Sequence, residues 1–559
     1  MVSSFMSLGL CGLESFAVTV EADLSLGLPS FDIVGLPDAS IKESRDRVRA
    51  ALKNSGLGFP IRRIVVNLAP ADVKKYGPIY DLPISLSILA ANDQIEDDWS
   101  KFAFLGELSL GGALNRINGI LPMTIKAQEL GFYGIFVPEE NAEEAAVVEK
   151  IDVFPVKNIK NLYEHLIKKN KIETQPKTKI NFGVRRNIFD FSDVKGQYCA
   201  KRALEIAAAG SHNVLLIGPP GSGKSMLAKR ISSIMPDMTF EEIIETTKIY
   251  SVVGAIHEKS PLILERPFRA PHHTISPAGL SGGGGIPRPG ELSLAHNGVL
   301  FLDELPEFAR ISLEVLRQPI EDGVVTISRA RSSLTYPCSV TLVVAMNPCP
   351  CGYFGHPSRQ CVCSRKTAEK YLSKISGPLL DRIDLHIEVP SVNFENISSQ
   401  ESDENSNSIK TRVNAAREIQ IKRYSRDKFE IFSESKEKDE FLDKIAENNL
   451  SQEADLGNSS EKVDTINEYI QNKNQFPIYF CNAKIPAFIL KKNAILTESA
   501  KKILKLAFEN MGLSARAYEK VLRIGRTIAD LENSDKIEEE HIAEAVQYRS
   551  LDRKYWLRN

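Results

Sequence analysis

The stretch Gly218-Pro219-Pro220-Gly221-Ser222-Gly223-Lys224-Ser225 has the spacing G-x-x-x-x-G-K-[ST], and the apolar run Asn213 to Ile217 before it reads as a buried strand. Glycines allow backbone N–H groups to close around phosphate oxygens, and a helix opening near Lys224 turns its positive dipole end to them. In such a loop Lys224 reaches the β- and γ-phosphates of a nucleotide and the Ser225 hydroxyl ligates Mg²⁺. A Gly/Pro-rich turn would produce the same letters. The strand before the loop and the helix after it favour nucleotide binding, with ATP and Mg²⁺ as the expected cofactors.

A second run, Val299-Leu300-Phe301-Leu302-Asp303-Glu304, describes a central parallel strand whose carboxylates emerge at its C-terminal edge, where open α/β sheets bind ligand. Asp303 is suited to the Mg²⁺ shell and Glu304 to polarising the attacking water. An Asp-Glu pair alone usually marks only a strand end, but downstream of the phosphate loop it points to hydrolysis. The strand Val340 to Met346 ends at Asn347, a polar group placed to orient that water. Arg382, in Gly377-Pro378-Leu379-Leu380-Asp381-Arg382, could be supplied to a neighbouring subunit's phosphoryl group, an effect of roughly 10³ or more in rate. Arg516, in Leu513-Ser514-Ala515-Arg516 at the start of a helix, could sense the γ-phosphate within its own subunit. Either arginine alone would read as a surface ion-pair partner.

Three features stand outside this set. Cys349-Pro350-Cys351 and Cys361-Val362-Cys363 place four thiols around a short polar loop, which is either a structural Zn²⁺ site or a group of reduced, unpaired thiols. His272 and His273 lack the acid and histidine spacing of a zinc site, so packing or interface hydrogen bonding is expected of them. Thr274 to Pro289 is a Gly-rich excursion suited to a flexible loop, and Val324 to Ser339 alternates like a β-hairpin around Arg329 and Arg331. Those two arginines suit phosphate contacts and subunit-interface pairs equally well.

The elements that must position these residues fall into several units, as 559 residues with 43% hydrophobic content allow. Residues 1–170 alternate strands with helices, 171–189 are a polar, basic linker, and 190–395 hold the phosphate loop and the acidic strand. The stretch 396–498, rich in Asn, Ser and acidic residues, reads as an insertion or mobile segment with a basic helix near Thr411 to Arg423. Residues 499–559 return to a helical pattern. Seventy basic residues against 72 acidic ones give a net charge of −2, so bulk charge neither recruits nor excludes nucleic acid. No apolar run approaches the roughly twenty residues needed to cross a bilayer, so a cytoplasmic protein without membrane partners is expected. Eight cysteines in so long a chain do not form a disulfide scaffold.

Lys75-Tyr76-Gly77-Pro78-Ile79-Tyr80-Asp81-Leu82-Pro83 resembles the proteolytic domain of Lon proteases, which has the ribosomal-S5-like fold, but Ile79 stands where the nucleophilic serine would be. Isoleucine offers a base nothing to activate, and Ser85 and Ser87 suit packing better than catalysis. The order of phosphate loop, Asp-Glu strand, Asn-tipped strand, Leu-Leu-Asp-Arg and Ala-Arg helix resembles an AAA+ ATPase. Arg266 to Thr274, Gly290 to Gly298 and Asn347 to Gly352 narrow the likeness to the magnesium-chelatase-like YifB/ComM family. The resemblance implies an S5/Lon-like N-terminal α/β domain, a central P-loop α/β motor with a parallel sheet, and a C-terminal helical lid. It further implies a homo-hexameric ring, DNA as partner beside recombination proteins, and ATP-driven branch migration during uptake and recombination, with no protease activity. The Gly-rich loop and the hairpin occupy positions that carry pore-directed hairpins in related motors. A chelatase-type remodeller of a protein partner in metal insertion is the alternative, against which stands the absence of a D-x-S-x-S metal domain.

Overall fold

Period-two burial along Glu14–Ser25, with Val18, Val20, Ala22 and Leu24 facing one side, forces that stretch into a strand, and the N-terminal half builds a sheet around it. The computed structural model describes residues 2–95, 98–178, 189–256, 260–285, 287–329, 332–356, 359–391, 403–434, 481–551 and 555, with the backbone alone for 329, 332 and 425–434. In this half lie strands β1 (Val2–Cys11), β2 (Glu14–Ser25), β3 (Ser30–Val34), β4 (Arg63–Ala69), β5 (Phe102–Phe104), β6 (Glu107–Leu108), β7 (Leu114–Asn115), β8 (Gly134–Pro138) and β9 (Asp152–Val156). Seven of them form one mixed sheet in the order β3-β4-β2-β1-β5-β8-β9, with β6 and β7 paired apart. Helices α1 (Ala39–Asn54), α2 (Asp81–Ala91), α3 (Ile120–Glu129), α4 (Ala142–Ala145) and α5 (Ile159–Leu166) accompany it.

Ile79 is buried in the 3₁₀ turn Pro78–Tyr80, immediately before α2. Ser85 and Ser87 are buried too, Ser85 Oγ donating to Asp81 O at 2.8 Å and Ser87 Oγ lying 2.8 Å from both Pro83 O and Val20 O, so both hydroxyls are engaged by backbone carbonyls. Part of the expected linker is not a free tether. Gln175 N donates to Val153 O at 2.8 Å and Thr178 N to Ala146 O at 3.1 Å, which straps residues 175–178 to the N-terminal unit. Residues 179–188 of the linker lie outside the described residues.

The central unit is a parallel sheet of β11 (Phe268–Arg269), β14 (Val299–Leu302), β17 (Thr341–Met346), β10 (Val214–Ile217) and β18 (Leu385–Glu388), in that order. Apart from the short edge strand β11, its members are almost wholly buried, as a sheet covered on both faces requires. Helices α6 (Tyr198–Gly210) and α7 (Lys224–Ile234) pack on it, and α8 (Phe240–Val253) lies to one side, where Tyr250 Oη donates to Leu294 O at 2.8 Å. The Gly-rich excursion is more ordered than expected: helix Pro277–Ser281 leads into a ribbon of β12 (Gly282–Gly283) and β13 (Arg288–Pro289). That ribbon lies against the hairpin of β15 (Val324–Arg329) and β16 (Ser332–Pro337), and Tyr336 Oη donates to Pro287 O at 2.9 Å. The side chain of Arg329, and Arg331 altogether, lie outside the described residues.

Much of the stretch 396–498 belongs to the packed body, contrary to its reading as an insertion. Helix Ser406–Glu434 buries Ile409, Val413, Ala416 and Tyr424 in the core of α6 and α7. Its polar residues are used as well, Gln420 Nε2 donating to Ala209 O at 3.2 Å and Arg417 Nη2 to Ala208 O at 3.1 Å. Helix Ala487–Asn493 joins the same core through Ile489 and Leu490. The helical cap therefore starts well before residue 499 and includes Glu498–Met511, Ala515–Leu531 and Glu539–Gln547. Residues 392–402 and 435–480 lie outside the description. Among the described residues no helix is long and apolar enough to cross a membrane.

Asp384 knots this cap to the sheet: its carboxylate accepts from Asn213 N at 3.0 Å and faces Lys520 Nζ at 3.2 Å and His212 Nδ1 at 3.6 Å. Burial alone would raise its pKa, but Lys520, His212 and the Asn213 amide outweigh burial and hold it well below the usual carboxylate range. A folded-state value below the unfolded one gives stability that is present above the unfolded pKa of about 3.9 and lost as the pH falls toward the folded value. Asp384→Asn leaves Lys520 without its buried partner and is expected to cost about 3 kcal/mol at neutral pH. Thermal melts should show that gap constant from neutral pH to about pH 5 and narrowing in more acidic buffer.

Candidate active site

The phosphate loop runs from the end of β10 into α7, and Gly221 and Gly223 adopt φ of +77° and +87°, which side-chain-bearing residues enter only with strain. Lys224 folds back over this loop. Its Nζ donates to Gly218 O at 2.8 Å, Pro219 O at 2.9 Å and Asn347 Oδ1 at 3.1 Å. Burial lowers its pKa, and the nearby Asp303 and Glu304 carboxylates partly restore it. Next to it, Ser225 Oγ donates to Asp303 Oδ2 at 2.5 Å, which puts a hydroxyl and a carboxylate together at one edge of the loop. That oxygen pair fits Mg²⁺, which takes one or two protein ligands and completes its shell with water and phosphate.

β14 delivers both acids. Asp303 Oδ1 accepts from the Glu304 amide at 2.9 Å, and Glu304 itself sits at φ +52°, a left-handed conformation uncommon for a residue with a side chain. The turn releases its carboxylate from the sheet and leaves the side chain 60% exposed at the sheet edge. β17 lies between β14 and β10, so Asn347, just past its end, reaches Lys224 across the same edge. Gln197, just before α6, has φ +57° and donates from Nε2 to Pro390 O at 2.7 Å and Ser222 O at 3.4 Å, against the back of the loop.

Lys224, Ser225, Asp303, Glu304 and Asn347 thus converge, while the two arginines make no recorded contact with this cluster. Arg382 pairs with Glu321, donates to Pro378 O at 2.8 Å and keeps 16% of its side chain exposed. Arg516 is exposed in the first turn of its helix, which Ser514 caps by accepting from Ala517 N at 3.2 Å. His273 was expected only to pack or to bond across an interface, yet its Nδ1 lies 3.8 Å from Glu304 Oε2 and its ring 4.0 Å from that of His272. His273 lies just after β11, the strand paired with the one that carries the acids, a pairing that no local pattern announces.

Fold and site together define a P-loop nucleotide hydrolase of the AAA+ class. The family model described as "Magnesium chelatase, subunit ChlI" matches residues 190–397, "Subunit ChlI of Mg-chelatase" matches 20–141 and "Magnesium chelatase, subunit ChlI C-terminal" matches 457–549. The chain is 38% identical to Competence protein ComM of Haemophilus influenzae over 97% of its own length and 96% of that protein's. It is equally 38% identical to the uncharacterized protein YifB of Escherichia coli, again over 97% and 96% of the two lengths. Lon protease 2 of Bacillus subtilis is 32% identical over 25% of this chain and 26% of its own. The chain belongs to the YifB/ComM family of magnesium-chelatase-like AAA+ ATPases.

Replacing Lys224 by Ala removes the cation nearest the expected phosphates. Titration with a fluorescent ATP analogue should show affinity at least about tenfold weaker, since a hydrogen bond to a charged group contributes about 1.5–3 kcal/mol.

Proposed function

We propose that this chain is the subunit of a homo-hexameric ring that uses ATP and Mg²⁺ to translocate along or remodel DNA, and that its task is branch migration of recombination intermediates during natural transformation. The observation that carries this reading is the end-to-end likeness to a protein named for competence, which spans the N-terminal unit as well as the motor. In it, Lys224 and the amides of Gly221 to Ser225 would hold the phosphates, and Ser225 and Asp303 would hold Mg²⁺, which would offset charge on the phosphate oxygens. Glu304 polarises the attacking water and Asn347 orients it.

Arg382 acts across the seam on a neighbour's nucleotide and Arg516 on its own. Residues 1–170 serve as a proteolytically inactive docking collar, with Ile79 in the nucleophile's place.

Purified protein with a synthetic branched DNA should separate its strands only with hydrolysable ATP, and recombination proteins that load or follow it are the partners to seek. A chelatase-type remodeller of a protein partner would leave the DNA intact at any salt concentration. Glu304→Gln should keep ATP binding and lower hydrolysis by about 10²–10⁴. Arg382→Ala should lower hydrolysis by about 10³ while the protomer still binds ATP. Unchanged turnover in either variant removes that residue from the mechanism.

A further inference from the structure

The four cysteines that the phosphate chemistry leaves unused meet in space. Cys349 follows Asn347 by two residues at the exit of β17, and the chain returns with Cys361 and Cys363, so that all four sulfurs lie within 4.8 Å of one another. Cys349 Sγ is 3.4 Å from Cys351 Sγ and 3.7 Å from Cys361 Sγ, and Cys351 and Cys361 are 3.5 Å apart. These are not disulfide distances, which are about 2.05 Å. Four thiolates on a tetrahedral ion at a Zn–S length of about 2.3 Å would stand roughly 3.8 Å apart, close to what is seen.

Gly352 N donates to Cys349 O at 3.0 Å, which closes the tight turn that carries the first two cysteines. Four thiolates would repel one another without a cation among them, and a soft divalent ion satisfies all four at once. Because the protein supplies every ligand, the site is closed and structural rather than catalytic.

We propose that Cys349, Cys351, Cys361 and Cys363 bind one Zn²⁺, and that the resulting knuckle braces the phosphate loop from the side of Asn347. The brace has a contact of its own. Gly352, at φ +83°, lies so close to Pro220 of the phosphate loop that a Cβ there would fall 2.3 Å from Pro220 Cδ. The same short segment therefore fixes Asn347 at one end, touches the phosphate loop in the middle and is pinned by the ion. The zinc site stands on the cysteine geometry alone, whereas the brace also rests on reading Gly218 to Ser225 as the ATP site.

The test uses full-length protein purified under reducing conditions without chelators, with zinc measured by mass spectrometry and Co²⁺ substitution followed by visible absorption. One zinc per chain and the absorption bands of tetrahedral thiolate-bound Co²⁺ are expected, and both should vanish in the double variant Cys361→Ser, Cys363→Ser. If the unaltered chain carries no zinc and takes up neither Zn²⁺ nor Co²⁺, the metal site is overturned, whatever the variant does to folding.

Gly352→Ala tests the brace separately. It should retain its zinc and lose about 10² in hydrolysis, the scale expected when catalytic groups are displaced by about 1 Å. Retained zinc with unchanged ATP affinity and turnover would overturn the brace. Zinc bound by a chain that neither binds nor hydrolyses ATP would overturn the ATP-site reading on which the brace depends and leave the metal site standing.

Discussion

The ammonium of Lys224 is the constraint around which the rest of the motor is arranged. A buried cation must be solvated by the protein, and here two loop carbonyls and the Asn347 side chain do so. Those three acceptors tie the end of β10 to the end of β17, two neighbouring strands of the parallel sheet. The acids of β14 complete the arrangement, since their charge supports the protonated lysine against the cost of burial. A phosphate arriving in the loop offers oxygens that compete with the carbonyls for the same donors. Binding is then an exchange of partners for one cation, and Asn347 feels the exchange directly.

From this point the contacts run outward along the strands. The opposite end of β17 is held by Asn213, whose Oδ1 accepts from Leu342 N at 2.9 Å while its Nδ2 donates to Arg382 O at 2.9 Å. Asp384, two residues beyond Arg382, carries the connection to Lys520 in the helical cap. One short segment thus joins the sheet, the arginine proposed for the seam and the cap. Such a path gives a change at the phosphate loop a physical means of moving the arginine proposed for the seam.

The sequence made the converging residues legible because each is tied to a local pattern: a glycine spacing, an apolar run ending in acids, a strand tipped by Asn347. The hairpin around Arg329 was legible for the same reason, since alternation is a local property. A helix near Thr411 to Arg423 was legible too, but its burial in the body was not, although Ile409, Val413 and Ala416 recur at helical spacing. Two of its further inward positions are Arg417 and Gln420, and their partners Ala208 and Ala209 lie about two hundred residues earlier. A polar residue buried by a distant carbonyl looks solvent-facing when only its neighbours are read. The proximity of His273 to Glu304 was hidden in the same way, because it depends on β11 pairing with β14. Along β1, Ser3 and Ser7 interrupt one apolar face, and Ser7 is buried by donating to Phe104 O at 2.9 Å.

The N-terminal unit, with isoleucine at position 79, is joined to the central unit by polar and apolar contacts. Gly119 N donates to Ser251 O at 2.9 Å, Ser251 Oγ donates to the buried carboxyl of Glu144, and Arg116 lies 3.7 Å from that carboxyl. Met238, Ile243 and Leu262 of the motor belong to the same apolar core as the N-terminal sheet, so α8 is shared between the two units. A second contact reaches the hairpin. Leu13, in the tight turn between β1 and β2, packs into the cluster that holds Leu334 and Tyr336, near the base of β15 and β16. Apolar burial of this kind is stable without strict geometry and can persist while the hairpin shifts by a fraction of its width. A domain fixed at α8 and touching the hairpin at one turn limits how far that hairpin can travel relative to the sheet. This restraint needs only the shape of the domain and no catalytic group within it.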